Sequence, residues 1–386
     1  MYPDLSYLLH DLIGTARDNA FSIIKTFGLF LLLAFVVAAQ LLKLELRRRE
    51  RIGQLPPVRE LRIPGKRRVT PADYMVNAVV GFLLGFKLPY IIGNFTAMQR
   101  DPFSVLFSTE GSAIGGIIGS GLFFGYYYAI ARKQGPIPEP VETDVYPSDR
   151  VGPITVRAAI GGLLGAKFFA VIEEWEAFIQ DPIPQLLSGG GLAIYGGLIG
   201  GAVAVFLYLR RHRIPILPVT DAVAPALIIA YGVGRIGCQL SGDGDWGTAI
   251  DAIPPGWFLP DWLYGFDYPH NVLQRGVPIP GCDDIYCSRL AELHYPTPIY
   301  ETLMAFTIGA ILWAVRKPLT AFPGLLFSIY LFLNGVERFF IEYVRINEQY
   351  EVLGLQLTQA QIIAVFFMLG GGAGAIFFGK LRKGAG

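Results

Sequence analysis

Arg235, Arg338 and Glu342 are the first side chains from which chemistry is expected. Arg235 follows an apolar run, Ala222 to Ala230, within the stretch YGVGRIGCQLSGDGDWG at 231–247. It stands among Gly232, Gly234 and Gly237 and precedes a turn that carries Asp243, Asp245 and Gly247. An arginine at the centre of a membrane helix costs about 2.5–3.5 kcal/mol on insertion scales. The cost falls if the guanidinium reaches headgroup level or meets an anion, and the glycines let a headgroup or a second backbone approach closely. A guanidinium is also the side chain suited to bidentate phosphate contacts. One reading is a phosphate clamp at a membrane surface; the other is a snorkelling arginine that marks a helix end. Arg338 and Glu342, four apart in NGVERFFIEYVR (334–345), either pair along their helix or share an anion with Arg235.

Further polar groups stand in apolar surroundings. Lys167 lies well inside the run 154–173, and HYPTPIYE (294–301) places Tyr300 and Glu301 at the start of another run, with His294 just before it. A lone histidine there is either structural or a proton carrier. Cys238 reads as a small packing residue or a reactive thiol.

These residues need long apolar helices to position them. The chain has 386 residues, of which 53% are hydrophobic and 16% charged. Soluble domains average about 25% charged residues, so the expectation is an all-α, polytopic membrane protein. About nine spans are expected, at roughly 20–43, 74–94, 112–131, 154–173, 191–209, 218–239, 299–315, 322–343 and 359–379. The first run has no basic region before it and reads as an uncleaved signal. A net charge of +1 points to no nucleic-acid partner.

Basic residues follow every odd-numbered span: Lys43 to Arg68 after the first, Arg132 and Lys133 after the third, Arg210 to Arg213 after the fifth, Arg316 and Lys317 after the seventh, and Lys380 to Lys383 after the ninth. The positive-inside rule then puts those ends in the cytoplasm, with the N-terminus outside and the C-terminus inside. Lys167, Arg235 and the Glu337–Arg345 group thereby gather toward the outer leaflet.

The chain also repeats itself. VGFLLGFKLPYI (80–91) resembles IGGLLGAKFFAV (160–171), with Lys87 and Lys167 in register. Each continues to an Asp-Pro (Asp101-Pro102, Asp181-Pro182) and then to a glycine-rich run, SAIGGIIGSG (112–121) or LAIYGGLIGG (192–201), after a one-residue insertion. A pair of spans is copied, which leaves the in/out parity of later spans unchanged. We divide the chain into 1–150, with the first span, a basic loop, the extra pair and a Pro/acidic linker, and 151–386, the membrane core with one long outer segment at 240–298. Trp246, Trp257 and Trp262 suit an interfacial belt, and an outer loop of that length is expected to cover a site. Asp73, Asp149 and Asp221 each precede an even-numbered span and read as N-caps. Cys282 and Cys287 face the side where disulfides persist; a disulfide, two thiols and a metal site all remain open.

Several motifs in order resemble the prolipoprotein diacylglyceryl transferases: GGLIGG at 196–201, GRIGCQLSGDGDWG at 234–247, YPTPIYE at 295–301, and ERFFIEYVR at 337–345 followed by LTQAQ at 357–361. LLGAKFF at 163–169 fits the helix before them, and the resemblance covers about residues 150–380 plus the first span. It implies a bacterial inner-membrane enzyme working at the outer leaflet without metal or organic cofactor. Such an enzyme transfers the diacylglyceryl group of phosphatidylglycerol to the lipobox cysteine in a prolipoprotein signal peptide, forming a thioether and releasing glycerol phosphate. Its partners are those two substrates and the bilayer.

By matched position, Arg235 is the signature arginine and Arg338 the second essential one. Glu342 orients one of them, and Gly247 closes the signature turn. Asp243 or Asp245 stands for the family's acidic residue. Gly196, Gly197, Gly234, Gly237, Lys167, Tyr300 and Glu301 line the substrate. Three positions depart from the family pattern: Tyr195 replaces a histidine, Cys238 an asparagine, and Tyr295 a histidine, with His294 one place earlier. A tyrosine with a pKa near 10 is a poor base at neutral pH, so Tyr195 orients the headgroup unless the arginines lower its pKa, and His294 or Glu301 can stand in as base. The alternatives are a lipid- or lipoprotein-binding relative without turnover, and a transporter suggested by the repeat. The copy is one adjacent span pair and not two matching halves, which counts against transport.

Overall fold

The computed structural model describes residues 1–62, 69–100, 102–134, 139–187, 193–352 and 354–380. Lys66, Arg67, Arg68, Asp101, Leu192, Arg382 and Lys383, named above, lie outside these residues. The helices in chain order are α1 (Leu5–Ile13), α2 (Thr26–Arg51), α3 (Pro71–Gly93), α4 (Phe95–Arg100), α5 (Pro102–Phe107), α6 (Ala113–Arg132), α7 (Val151–Glu173), α8 (Trp175–Gln180), α9 (Pro182–Leu187), α10 (Ile194–Arg211), α11 (Ile216–Ser241), α12 (Thr297–Val315), α13 (Leu325–Ile341) and α14 (Gln359–Lys380). Strands are short antiparallel pairs, 58–62 with 141–145, 249–250 with 293–294, 277–278 with 288–289, and 349–352 with 355–358. The all-α expectation holds.

Among the described residues, 8 helices are long and apolar enough to cross a membrane: α2, α3, α6, α7, α10, α11, α12 and α14. The remaining expected span, 322–343, is α13, a helix of 17 residues that continues as a 3-10 turn, Glu342–Val344.

The chain forms two compact units, one of Met1–Pro56, Tyr146–Thr155 and Tyr208–Gly386, the other of Pro57–Val145 and Val156–Leu207. The second unit holds both copies of the repeat, and the copying extends to the short helices: α3-α4-α5-α6 is followed by α7-α8-α9-α10. Glycines make each helix pair. Gly81 meets Gly119 and Gly85 meets Gly115 in the first copy; Gly161 meets Gly200 and Gly165 meets Gly196 in the second. A Cβ on Gly81 would lie 2.8 Å from Phe123 Cβ, and one on Gly200 would lie 2.8 Å from Gly165 Cα. In lipid, where no hydrophobic force draws helices together, such close backbone packing does the work. The one-residue insertion falls between the paired helices, so the pairs stay in register. Lys87 staples its copy: its ammonium donates to Val105 O (3.1 Å), Ser108 Oγ (2.9 Å) and Glu110 O (2.9 Å).

The first unit packs α11, α12 and α13 around Ile228, Ala305, Ile308, Leu312 and Leu326. Gly237 admits Phe30 of α2, where an added Cβ would lie 2.6 Å from Phe30 Cβ, and Gly335 admits α14, 2.7 Å from Ala364 O.

The capping expectation needs correction. Asp73 and Asp149 act three residues inside their caps, accepting from the backbone N–H of Thr70 (2.7 Å) and Tyr146 (3.1 Å). Asp221 does not cap its own helix, because α11 begins earlier, at Ile216 after Pro215. It is fully buried and accepts the N–H groups of Gly324 and Phe327, both at 2.9 Å, so it caps α13 instead. The fully buried Arg49 lies 3.8 Å from it. Asp221→Ala removes the cap and one counter-charge of Arg49, and a loss of about 3 kcal/mol is expected. Thermal unfolding in detergent checks this, with Asp221→Asn losing less because it keeps an acceptor.

Candidate active site

The signature turn is built on glycine. α11 ends at Ser241, and Gly242 follows in the left-handed region (φ 64°), its N–H donating to Cys238 O at 3.0 Å. Gly244 also takes positive φ (102°), which L side chains rarely adopt. The chain thereby turns back and presents Asp245 to Arg235. At Gly247 three segments cross: its N–H donates to Tyr295 O (2.8 Å), and the next N–H, of Thr248, donates to Val344 O (2.8 Å). A Cβ on Gly247 would lie 2.8 Å from Thr297 Cγ2 and 2.9 Å from Tyr295 Cβ. Its small size is a packing requirement, and it ties the turn to the start of α12 and the end of α13.

That crossing gathers six charged groups. Arg235 of α11 pairs with Asp245 of the turn and with Glu301, the fifth residue of α12. Arg338 of α13 lies 3.4 Å from Glu301 and 3.0 Å from Glu342. Arg345, just past α13, lies 3.1 Å from Glu301 and 2.7 Å from Asp245. Glu301 is fully buried and is the carboxylate common to all three arginines. Arg235 and Arg345 side chains are 11% and 13% exposed, against 26% for Arg338 and 30% for Asp245, so the cluster opens on the Arg338 and Asp245 side. Burial opposes the charge on Asp245, but Arg235 and Arg345 outweigh it and hold the carboxyl at about 2. Asp243 goes the other way: burial, and then the neighbouring Asp245, push its carboxyl up. Among the described residues Asp245, and not Asp243, forms ion pairs with the arginines.

Three guanidiniums converging from separate segments on a shared carboxylate follow the order of the sequence motifs. The family model for prolipoprotein diacylglyceryl transferase matches residues 115–377, from within α6 to near the end of α14. The chain belongs to this family. It is similar to phosphatidylglycerol–prolipoprotein diacylglyceryl transferase 2 of Clostridium perfringens, 31% identical over 229 residues, 58% of this chain and 78% of the relative. It is also similar to the phosphatidylglycerol–prolipoprotein diacylglyceryl transferases of Staphylococcus xylosus (29% over 258 residues, 66% and 80%) and Bacillus cereus (28% over 270 residues, 70% and 86%).

Within this diacylglyceryl transferase, the remaining expected site residues fall into distinct places. Glu342 is buried, holding Arg338 with one oxygen and accepting from Asn347 Nδ2 with the other. Cys238 is buried beneath Arg235, its Sγ 3.4 Å from Nη1. Gly234 faces open space, whereas Gly237 is occupied by Phe30. Tyr300 donates its hydroxyl to Leu263 O (2.7 Å) and so anchors the outer segment. His294 sits in the 249–250/293–294 strand pair, with Nδ1 2.7 Å from Gly247 O and its ring 6.4 Å from Trp246. The Tyr295 ring lies 5.5 Å from that of Tyr264, tilted by 59°; a hydrogen bond to Tyr264, then burial, raise its phenol above the ordinary value.

In the second unit, Gly196 and Gly197 are helix-contact positions, facing Gly165 and Ala166 respectively. Tyr195 is the second residue of α10, and Lys167 is half-buried on α7.

Arg345 was not among the expected site residues. The signal was present: 338, 342 and 345 fall on one helical face by their spacing of four and three. Glu301 was expected on the substrate side or as a base, and its hub position follows only from three elements meeting.

In the outer segment, Cys282 and Cys287 form a disulfide. Its loop is tied to the N-terminal residues by Arg17–Asp284 (2.9 Å), Asp18 accepting from Ile285 N–H (2.9 Å) and Lys25 donating to Tyr286 (2.8 Å). Trp246 is buried, 5.2 Å from Tyr268, so it leaves the expected interfacial belt. Trp262 stays exposed.

Proposed function

We propose that this chain transfers the diacylglyceryl group of phosphatidylglycerol to the lipobox cysteine of a prolipoprotein, at the outer leaflet of a bacterial inner membrane. The N-terminus is outside and the C-terminus cytoplasmic, in keeping with the basic residues that follow the odd-numbered spans. The observation that carries the reading is the Arg235–Arg338–Arg345 cluster organised on the buried Glu301.

The lipid phosphodiester enters on the Arg338 and Asp245 side, where the cluster is most exposed. Guanidinium donors bind its oxygens and fix the glyceryl carbon for attack. The cysteine sulfur forms a bond to that carbon. The carbon–oxygen bond breaks, and its electron pair goes to the phosphate oxygen. The arginines are already oriented by Glu301, Glu342 and Asp245, so charge developing on the leaving glycerol phosphate is stabilised without reorganisation. The same positive field favours the thiolate over the thiol.

Proteoliposomes of the purified protein with phosphatidylglycerol and a lipobox peptide test this. The expected product is the diacylglyceryl thioether of the peptide, detected by mass, together with glycerol phosphate. Folded protein that yields neither refutes the reading, as does failure to support growth of a strain depleted of its own enzyme.

A further inference from the structure

Glu337 takes no part in the network above. It lies on α13 one position before Arg338 and is 4% exposed. Among the described residues, neither of its oxygens has a hydrogen-bond partner. Asp245, Glu301 and Glu342 each already face a guanidinium, so three arginines are matched by three carboxylates and Glu337 is left over. A buried carboxyl without a partner is costly, and such groups concentrate where chemistry is done.

The helix settles its direction. Gly335 packs on α14, and Glu337 is two residues, about 200°, further round. Tyr330 and Leu333, seven and four residues earlier on the same face, pack against the α11–α12 core. Glu337 continues that stripe into the seam between α11, α12 and α13. The titratable and charged groups around it are Tyr231 and Arg235 from α11, Glu301 from α12, Tyr330 and Arg338 from its own helix, and Arg345.

We propose that Glu337 accepts the proton of the acceptor cysteine thiol. This rests on the transferase reading, which requires thioether formation and therefore a destination for that proton. The S–H bond breaks and the proton passes to a Glu337 oxygen. The sulfur lone pair forms the S–C bond, and the C–O pair leaves on the phosphate. The proton then departs with glycerol phosphate, and Glu337 is restored. Asp245 and Glu301 give both oxygens to arginines, Glu342 divides its oxygens between Arg338 and Asn347, Asp243 accepts from the Asp245 N–H (3.4 Å), and Tyr295 is paired with Tyr264. His294, engaged with Gly247 and Trp246, lies outside the seam.

The test is the pH dependence of transfer in proteoliposomes for the wild type, Glu337→Gln, Glu337→Asp and His294→Gln. Turnover of Glu337→Gln is expected to fall about 10²–10⁴-fold, the usual worth of a general base, and the acid limb of the rate profile disappears. The amount of phosphatidylglycerol retained on purification stays at the wild-type level, which a merely structural role would not predict. Glu337→Asp keeps the limb at reduced turnover and carries the test if the glutamine variant folds poorly. Wild-type rates and limb in Glu337→Gln overturn the proposal, as does loss of the limb in His294→Gln alone. Absence of transfer by the wild type would instead strike the transferase reading itself.

Discussion

Arg235→Lys lowers diacylglyceryl transfer by about 10²–10³-fold, the loss seen when one donor to a developing oxyanion is removed. The reason is geometric. Arg235 engages Asp245 and Glu301 with different nitrogens of one rigid fork. Lysine keeps the charge but offers a single ammonium on a flexible stem, and it cannot hold two carboxylates from different segments in a fixed relation. With the charge retained, stability falls less than in Arg235→Ala, which leaves the buried Glu301 short of a counter-charge at a cost of about 3–5 kcal/mol. Initial rates with phosphatidylglycerol and a lipobox peptide, measured beside a thermal melt, separate lost chemistry from lost folding. Wild-type rates in Arg235→Lys and Arg338→Lys together would end the phosphate-clamp assignment.

Glu301→Gln has the second large effect, and it discriminates between two roles. As the carboxylate shared by Arg235, Arg338 and Arg345, Glu301 cancels part of a buried triple charge. Glutamine offers one carbonyl and turns an amide donor toward guanidinium donors, so at least one arginine loses its partner. The expected outcome is a fall in stability of about 3–5 kcal/mol together with at least a 10²-fold loss of rate, about what one misplaced positioning group costs. A proton-transferring role alone would remove the rate and leave the melting temperature unchanged. Measuring both on the same preparation decides the matter.

Much of the site could be read from residue types in order. Arg235, Arg338 and Glu342 stand out because ionised groups inside apolar runs are rare and need a partner. Span parity already brought Arg235 and Arg338 toward one leaflet; that Glu301 is the carboxylate they share could not be read, because α11, α12 and α13 meet only in the fold. The choice between Asp243 and Asp245 was equally closed to inspection of the sequence. Both lie in the same turn, and only the positive-φ Gly244 and the approach of Arg345 distinguish them. Trp246 illustrates the opposite failure: a tryptophan beside a span suits the interface by type, yet Tyr268 and Leu290 bury it.

Local pattern sufficed wherever the determining interaction is short-range or averaged over many residues. Apolar run length made the helices, the copied glycine spacing made the two hairpins, and four-residue spacing made the Arg338–Glu342 pair. Tertiary structure alone decided the partners of buried charge. Asp221 caps α13 rather than its own helix, Glu301 serves three arginines, and Glu337 serves none among the described residues. A charge out of water is governed by whichever opposite charge or dipole packing brings within a few ångströms, and distance along the chain carries no record of that approach.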